Sequence, residues 1–374
     1  MKPDEIDEAQ AETELTADQR TIRKLKDQNR TLRKKVEASE REAILFDLLR
    51  GEIDDRIDAL KPYKPVTRKQ LDAPKHTHET PILSLSDIHG TQIVLPERVQ
   101  GLEDYNFHVT CKRAEVIVDS TISFLFENMS NYIFEELWIF VKGDLTPGEI
   151  HGMTQHTEYR NDFKNAMAVG ELLAQMVQDL LRYFKVIRMV AVPGNHGRRS
   201  RRKDYHGAHN NWDYLTMVYA RARLLPYIEE GRLEISIPDT YTVGVCVLGW
   251  NHIINHGDDI RSWNSIPWYG IERKTRRMTA LSPATGIMPH YFWFGHFHQD
   301  AQQQHPAGET FINGKWLATD EFAVEAMAGY SEPRQWLVGV HKNRGVSWRV
   351  PLQLRVHNWK KEEKKPSRYK VEIP

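Results

Sequence analysis

Five short apolar runs, each closed by a polar turn carrying Asp, Asn or His, constrain this chain more than any bulk property does. The run at 82–86 leads into Asp87-Ile88-His89, that at 137–141 into Gly143-Asp144, and that at 186–192 into Gly194-Asn195-His196. The stretch 242–256 reads as paired strands ending at His256-Gly257-Asp258, and the run at 291–294 ends at Gly295-His296-Phe297-His298. Apolar runs of this length between turn residues read as buried strands. Helical periods separate them, at 113–129, along the face Val169, Leu172, Leu173, Met176, Val177 and Leu180, and at 214–225. Alternating strands and helices predict an α/β domain whose sheets are covered by helices. A strand-rich region follows, with a hairpin turn at 343–345. In open α/β sheets, ligands bind beyond the carboxyl ends of the strands, so the five turns are expected to converge on one place.

The residue types state what can bind there. Imidazole, carboxylate and amide oxygen without thiolate suit divalent Mn, Fe, Ni or Zn. Residues at i and i+2 of an extended segment point the same way, so Asp87 with His89, and His296 with His298, are each expected to place two donors on one side. The glycines before Asp144, Asn195 and His296 allow close backbone approach. Asp87, His89, Asp144, Asn195, His256, His296 and His298 are more donors than one ion takes, and two ions sharing a carboxylate would use the set.

The ordered series DxH, GD, GNH, H and GHxH resembles the calcineurin-like metallophosphoesterases over residues 82–340. The resemblance implies a four-layer α/β/β/α sandwich with two mixed sheets and a dinuclear centre for two divalent ions, manganese foremost, with Fe, Ni, Zn or Mg as alternatives. It implies that Asp87, His89 and His298 hold the first metal, that Asn195, His256 and His296 hold the second, and that Asp144 bridges them. His196 then stabilises charge on the phosphate or protonates the leaving group. The activity implied is hydrolysis of phosphoric esters. One position departs from the pattern: an acid commonly follows the GNH histidine, and here Gly197 stands there, followed by Arg198. Either another carboxylate, with Asp258 as a candidate, then orients His196, or the ring works with a lower pKa. The GNHGR variant, with Asp320-Glu321-Phe322 later on, also looks like phosphoesterases of tailed bacteriophages, related to the Mre11/SbcD-like nucleases.

Arg198, Arg199, Arg201, Arg202 and Lys203 stand beside His196. Arginine forks match phosphate, and a run of cations favours a polyanion. Nucleic acid is therefore the first substrate expected. A small-molecule or protein phosphate ester is the alternative, and a non-catalytic nucleic-acid-binding coiled-coil protein is a third reading. His151, and more weakly His156, follow the GD turn where related nucleases place an extra histidine. Trp212, Trp263 and Trp268 read as core residues rather than base-stacking platforms.

Residues 1–60 are read as a helical segment, 61–81 as a linker with four prolines, 82–358 as the phosphoesterase domain and 359–374 as a charged, solvated tail. Ile22, Leu25, Asn29, Leu32 and Val36 follow the a/d spacing of a coiled coil, resuming loosely at Phe46, and imply a homodimer through this helix. With 51 basic and 51 acidic residues the net charge is zero, so any basic footprint must be local. Two cysteines, Cys111 and Cys246, outside any CxxC pair argue against a disulfide framework. An acidic N-terminus without an apolar segment and the lack of a membrane-length apolar run imply a cytoplasmic protein, in the host cytoplasm if phage-encoded, that meets no membrane.

Overall fold

The computed structural model describes residues 17–58, 76–150, 152–200, 202–261, 265–306 and 308–373. The chain divides into two units, Met1–Asp72 and Ala73–Pro374. The first contains helix α1 (Ala17–Asp58), 42 residues of mostly Lys, Arg, Glu, Ala and Leu, which are good helix formers. Ile22, Leu25, Leu32 and Val36 of the expected seam are all exposed along it. Phe46 falls outside the residues whose side chains are described.

The second unit starts earlier than the sequence implies. The linker lies outside the described residues as far as 75, but its last residues already form strands β1 (Thr77–His78) and β2 (Thr80–Leu85). The β-branched Thr77 and Thr80 find ladder partners, Tyr132 and Val340, that local composition cannot reveal. The other strands are β3 (Tyr132–Ile133), β4 (Glu136–Val141), β5 (Val186–Ala191), β6 (Leu233–Ser236), β7 (Thr242–Val247), β8 (Trp250–Asn255), β9 (Tyr291–Phe294), β10 (Ala301–His305), β11 (Gly308–Ile312), β12 (Arg334–His341) and β13 (Gly345–Gln353). Among the described residues one sheet has the order β13-β12-β2-β4-β5-β6 and a second the order β10-β11-β9-β8-β7. Both are mixed. β2, β4, β5 and β6 run parallel, as do β8, β9 and β11, while β12, β13, β7 and β10 pair antiparallel.

Strand alternation shows the layering directly. Leu83, Leu85, Ile139, Val141, Ile187 and Met189 pack into one core with α2 (Phe107–Ile122), α3 (Asp162–Leu180) and α4 (Trp212–Arg223). Their alternates Ile82, Phe140 and Val190 meet Ile254, Tyr291 and Trp293 of the other sheet in a second core. Ile253, Phe292 and Phe294 point the opposite way and pack with Ile271 of α5 (Trp268–Ala280) in a third. Three cores between four layers make an α/β/β/α sandwich.

The C-terminal segment corrects the expectation of a solvated tail. After α7 (Trp359–Glu362), Glu363 is buried and bonded to Arg113 at 2.8 Å, and Tyr369 is buried with its hydroxyl on Asp179 at 3.1 Å. Arg368 pairs with Asp119 and Asp179, and Val371 and Ile373 pack on the helical core. Charge content suggests solvation, but the alternating apolar residues and paired charges dock the segment. It joins a fully buried ion network in which Arg113 binds Glu103 at 3.0 Å and also the Trp316 carbonyl, while Arg355 reaches Glu103 from outside. Arg113→Ala would strand the buried Glu363 and leave Glu103 paired, among the described residues, only with Arg355. It is expected to destabilise this unit by about 3–5 kcal/mol in a urea titration, and a loss below about 1 kcal/mol would show the network to be dispensable.

Candidate metal centre

The five strand-end turns lie side by side because the strands that carry them do. The Asp87 and His89 N–H groups donate to the Gly143 and Asp144 carbonyls, at 3.1 Å each, extending the β2–β4 ladder into the loops. Gly295 N–H reaches the His256 carbonyl at 2.9 Å, and His296 N–H donates to the Asp87 carboxylate at 2.9 Å, joining the two sheets at this end.

Asp87, His89, Asp144, His296 and His298 all have positive φ, between 46° and 67°. For non-glycine residues this region is rare and costs on the order of 1–3 kcal/mol each, and it is kept mainly where function requires it. This corrects the extended-segment argument. The donors converge through left-handed turns and not through strand alternation, so neighbours in sequence can aim apart. Asp87, His89, Asp144 and His298 form one group and Asp144, His256 and His296 another, with ligand atoms in each within 4.8 Å of one another. His296 and His298 thus serve different groups, and Asp144 belongs to both. Asn195 joins the second group through Oδ1, 3.0 Å from His256 Nε2.

The donor atoms fit a cation. Both ring nitrogens of His89 and Oδ2 of Asp144 are buried without a hydrogen-bond partner. Buried polar atoms are rarely left so, and one His89 nitrogen with Asp144 Oδ2, in a group whose ligand atoms lie within 4.8 Å of one another, suits a cation. Asp144 Oδ2 lies 3.0 Å from His256 Nε2, in ion-pair range without hydrogen-bond geometry. His256 Nδ1 donates to the Lys142 carbonyl at 2.6 Å, which fixes the tautomer and turns Nε2 toward Asp144 and Asn195, the outer-shell arrangement of ligating histidines.

Electrostatics follow from burial and charge. Burial opposes ionisation of Asp87, but His298 and His256 outweigh it and hold the carboxyl at about 2. Asp144 is likewise driven well below the usual carboxylate range by His256 and His196 against the cost of burial. Burial lowers His89 well below its ordinary value, with the His196 charge adding, and lowers His296 to about 4, with His256 adding. These rings stay neutral, the form that binds metal. Burial disfavours charge on His256, but Asp144 overrides it and raises this ring to about 10. Metal at Asp144 therefore competes with the His256 proton.

His196 sits 4.6 Å from the His89 ring, centroid to centroid. Its N–H donates to Asp144 Oδ1 at 2.8 Å, and its Nδ1 lies 3.0 Å from the Pro147 carbonyl. A carbonyl only accepts, so Nδ1 carries the proton in that contact. A backbone oxygen orients this ring at Nδ1. Asp258 is engaged elsewhere, by Lys203 at 2.8 and 3.0 Å and by Arg198 at 3.8 Å, which corrects its candidacy. The missing acid at Gly197 has a steric reason, because a Cβ there would run into the Asn211 side chain.

Sequence reasoning missed Asn211 and Asp213. Asn211 caps α4 by accepting from Asp213 N–H at 2.8 Å and donates to the Gly194 carbonyl at 2.9 Å. Asp213 accepts from the backbone N–H groups of Asp144, Leu145 and Gly194 at 2.9, 3.0 and 2.8 Å. Burial and the Asp144 charge raise its carboxyl to about 6. The local signal, Asn-x-Asp, announces only a helix start.

The basic run divides. Arg198, mostly buried, also donates Nε to the Asn195 carbonyl at 3.2 Å, and Lys203 lies over the Tyr241 ring. Arg199 is exposed, 3.6 Å from Glu149 and over the Trp212 ring, and Arg202 is exposed. His151, Arg201 and Trp263 lie outside the described residues. His156 is exposed at the end of a short 3-10 turn; of the other two tryptophans singled out, Trp212 is buried as the core reading expects and Trp268 is exposed. Asp320 caps the short helix α6 (Glu321–Met327) through Ala323 N–H at 2.8 Å. Among the described residues, no helix is long and apolar enough to cross a membrane.

No protein-family model matches the sequence, and no curated protein matches it. Among solved structures, the chain is similar to an archaeal phosphodiesterase at 9% identity, covering 73% of this chain and 99% of that one with a TM-score of 0.33. It is similar to Yfce, a phosphoesterase from E. coli, at 13% identity, 73% and 100% coverage and a TM-score of 0.30. It is also similar to vacuolar protein sorting 29 from Cryptosporidium parvum, at 10% identity, 70% and 86% coverage and a TM-score of 0.30. What the chain itself provides, at the carboxyl ends of β2, β4, β5, β8 and β9, is a buried His/Asp cluster able to hold divalent metal ions.

Proposed function

We propose that the protein is a metal-dependent phosphoric ester hydrolase that holds two divalent ions, manganese foremost, and cleaves phosphodiester bonds in nucleic acid. The observation that carries the reading is Asp144, buried and shared between two donor groups, with its own Oδ2 and the ring nitrogens of His89 buried without a hydrogen-bond partner. Asp87, His89 and His298 would hold one ion and Asn195, His256 and His296 the other. A pair of divalent ions lowers the pKa of water toward neutrality and neutralises phosphate oxygens. The chain does the rest. The Pro147 carbonyl accepts a hydrogen bond from His196 Nδ1–H, so Nε2 is the nitrogen left to meet the leaving oxygen; as the doubly protonated imidazolium the ring gives its Nε2 proton to that oxygen and is left as the neutral Nδ1–H tautomer. Arg198, fixed between Asp258 and the Asn195 carbonyl, offers a guanidinium to a non-bridging phosphate oxygen with little ordering left to do.

The nucleic-acid reading rests on the basic run, with the resemblance of GNHGR and Asp320-Glu321-Phe322 to phage and Mre11/SbcD-like enzymes beside it, and that run is weaker than its composition suggests. Arg198 and Lys203 share the charge of Asp258, leaving one net positive charge among the three. Arg199 and Arg202 are the exposed cations that would follow a polynucleotide backbone. The test is a panel of single- and double-stranded DNA, RNA and bis-p-nitrophenyl phosphate with Mn, Mg, Ni and Zn. In an Arg199→Ala/Arg202→Ala variant, the slope of log affinity for duplex DNA against log salt should become shallower by about 0.9 for each phosphate these side chains neutralise. Turnover of the small diester should not change. Small-ester turnover without polynucleotide cleavage would favour the small-substrate alternative, and stoichiometric nucleic-acid binding without turnover under any ion would favour a binding protein.

A further inference from the structure

We infer that Asp213 is a positioning residue for the metal pair, clamping the loop that carries Asp144 to the loop that carries Asn195. The inference rests on the two-metal reading above. The two loops meet closely, backbone against backbone at Gly143 and Gly194, with the Asp144 carboxylate packed against Gly194. A Cβ on Gly143 would overlap the Gly194 backbone, and one on Gly194 would overlap the Asp144 carboxylate. Contact this close sets the distance between the shared ligand and the second group, and directional bonds fix its register: one from His196 N–H to Asp144 Oδ1, and three to Asp213. Asp213 Oδ2 accepts from both Asp144 N–H and Gly194 N–H, and its Oδ1 from Leu145 N–H, so one carboxylate holds three donors on two loops.

The carboxylate is itself held. It is 2% exposed, and it sits in the first turn of α4, capped by Asn211. Asn211 also bonds the Gly194 carbonyl, and Trp212 N–H donates to the Gly197 carbonyl at 2.7 Å. The start of α4 thus forms a plate behind the GNH turn. It fills the space an acidic side chain at 197 would need and delivers a carboxylate from 16 residues further along the chain. Charge-assisted hydrogen bonds to three backbone donors are short and directional, which suits a part whose task is to fix geometry.

The experiment titrates Mn(II) into wild type, Asp213→Asn and Asp213→Glu, with affinity from calorimetry and ion–ion coupling from electron paramagnetic resonance. Circular dichroism and thermal melting report the fold. Wild type should bind two ions with an exchange-coupled signal. Asp213→Asn keeps the shape but replaces one acceptor with a donor facing an N–H group. It should remain folded, lose about 10–100-fold in affinity for one ion and lose the coupled signal. Asp213→Glu keeps the charge and should recover part of both. It also answers the question if the Asn variant melts too early to titrate. A purely structural role predicts a lower melting temperature with both ions bound as in wild type, and that result overturns the inference. Wild type that binds fewer than two ions overturns the two-metal reading and the role of Asp213 with it. Two coupled ions in wild type and in both variants sink the inference alone.

Discussion

Asp144→Asn is expected to lower phosphoester turnover by at least about a thousandfold and to reduce bound Mn(II) from two ions to one or none. The side chain is fully buried and belongs to both donor groups, so its charge acts on both ion positions at once. Two unit charges 4 Å apart interact by about 4 kcal/mol at an effective dielectric of 20, about three decades in an equilibrium constant. Ligand contacts are closer and the ions doubly charged, so this is a lower bound. Asparagine keeps the shape and an oxygen for the His196 N–H bond, so the turn should survive. His256, raised to about 10 chiefly by Asp144 against its own burial, would lose that counter-charge and keep the weaker ones of Asp87 and Asp258, so its value should fall. Calorimetric titration of Mn(II) and hydrolysis of bis-p-nitrophenyl phosphate measure the two effects. Wild-type turnover in this variant would remove the basis for the metal assignment.

The sequence carries much of this centre because its signals are local. A strand of four to six residues ending in a polar turn needs no distant partner to be recognised, and parallel neighbours put such ends together. Asp87, His89, Asp144, Asn195, His256, His296 and His298 are therefore legible one motif at a time. What is not legible depends on contacts between remote segments. The left-handed turns at five ligands cannot be read from residue type, since Asp and His, though enriched at positive φ among non-glycine residues, adopt it in only a small minority of cases. β10, Ala-Gln-Gln-Gln-His, has no apolar alternation and forms because β11 pairs with it. Only Ile271 and Thr275 of α5 are buried, too few for a visible period. Asp213 lies 69 residues from Asp144, and the C-terminal segment looks solvated until α2 and α3 supply partners for its charges.

Gly148→Ala is expected to lower turnover by about a hundredfold while leaving metal binding intact. Gly148 has φ +64°, and a Cβ there would overlap the His196 carbonyl oxygen. Neither problem can be relieved by rotating a side chain, because the obstacle is backbone. The left-handed conformation costs alanine about 1–2 kcal/mol, and the overlap must move either the 146–149 turn or the GNH turn. Both routes shift the Pro147 carbonyl relative to His196 Nδ1, the contact that sets the ring. A misplacement of about 1 Å at a reacting group costs on the order of a hundredfold. Asp144 and Asn195 keep their own tethers through Asp213 and Asn211, so the metal donors should hold. A loss that acts through proton delivery depends on the leaving group, so it should be larger for an alkoxide in DNA than for nitrophenolate. The decisive comparison is a double-mutant cycle. If His196→Ala alone costs about a hundredfold or more, adding Gly148→Ala should cost little further, because the ring that Gly148 protects is gone. If instead the two losses multiply, Gly148 does not act through His196, and the Pro147 carbonyl is not what orients the ring.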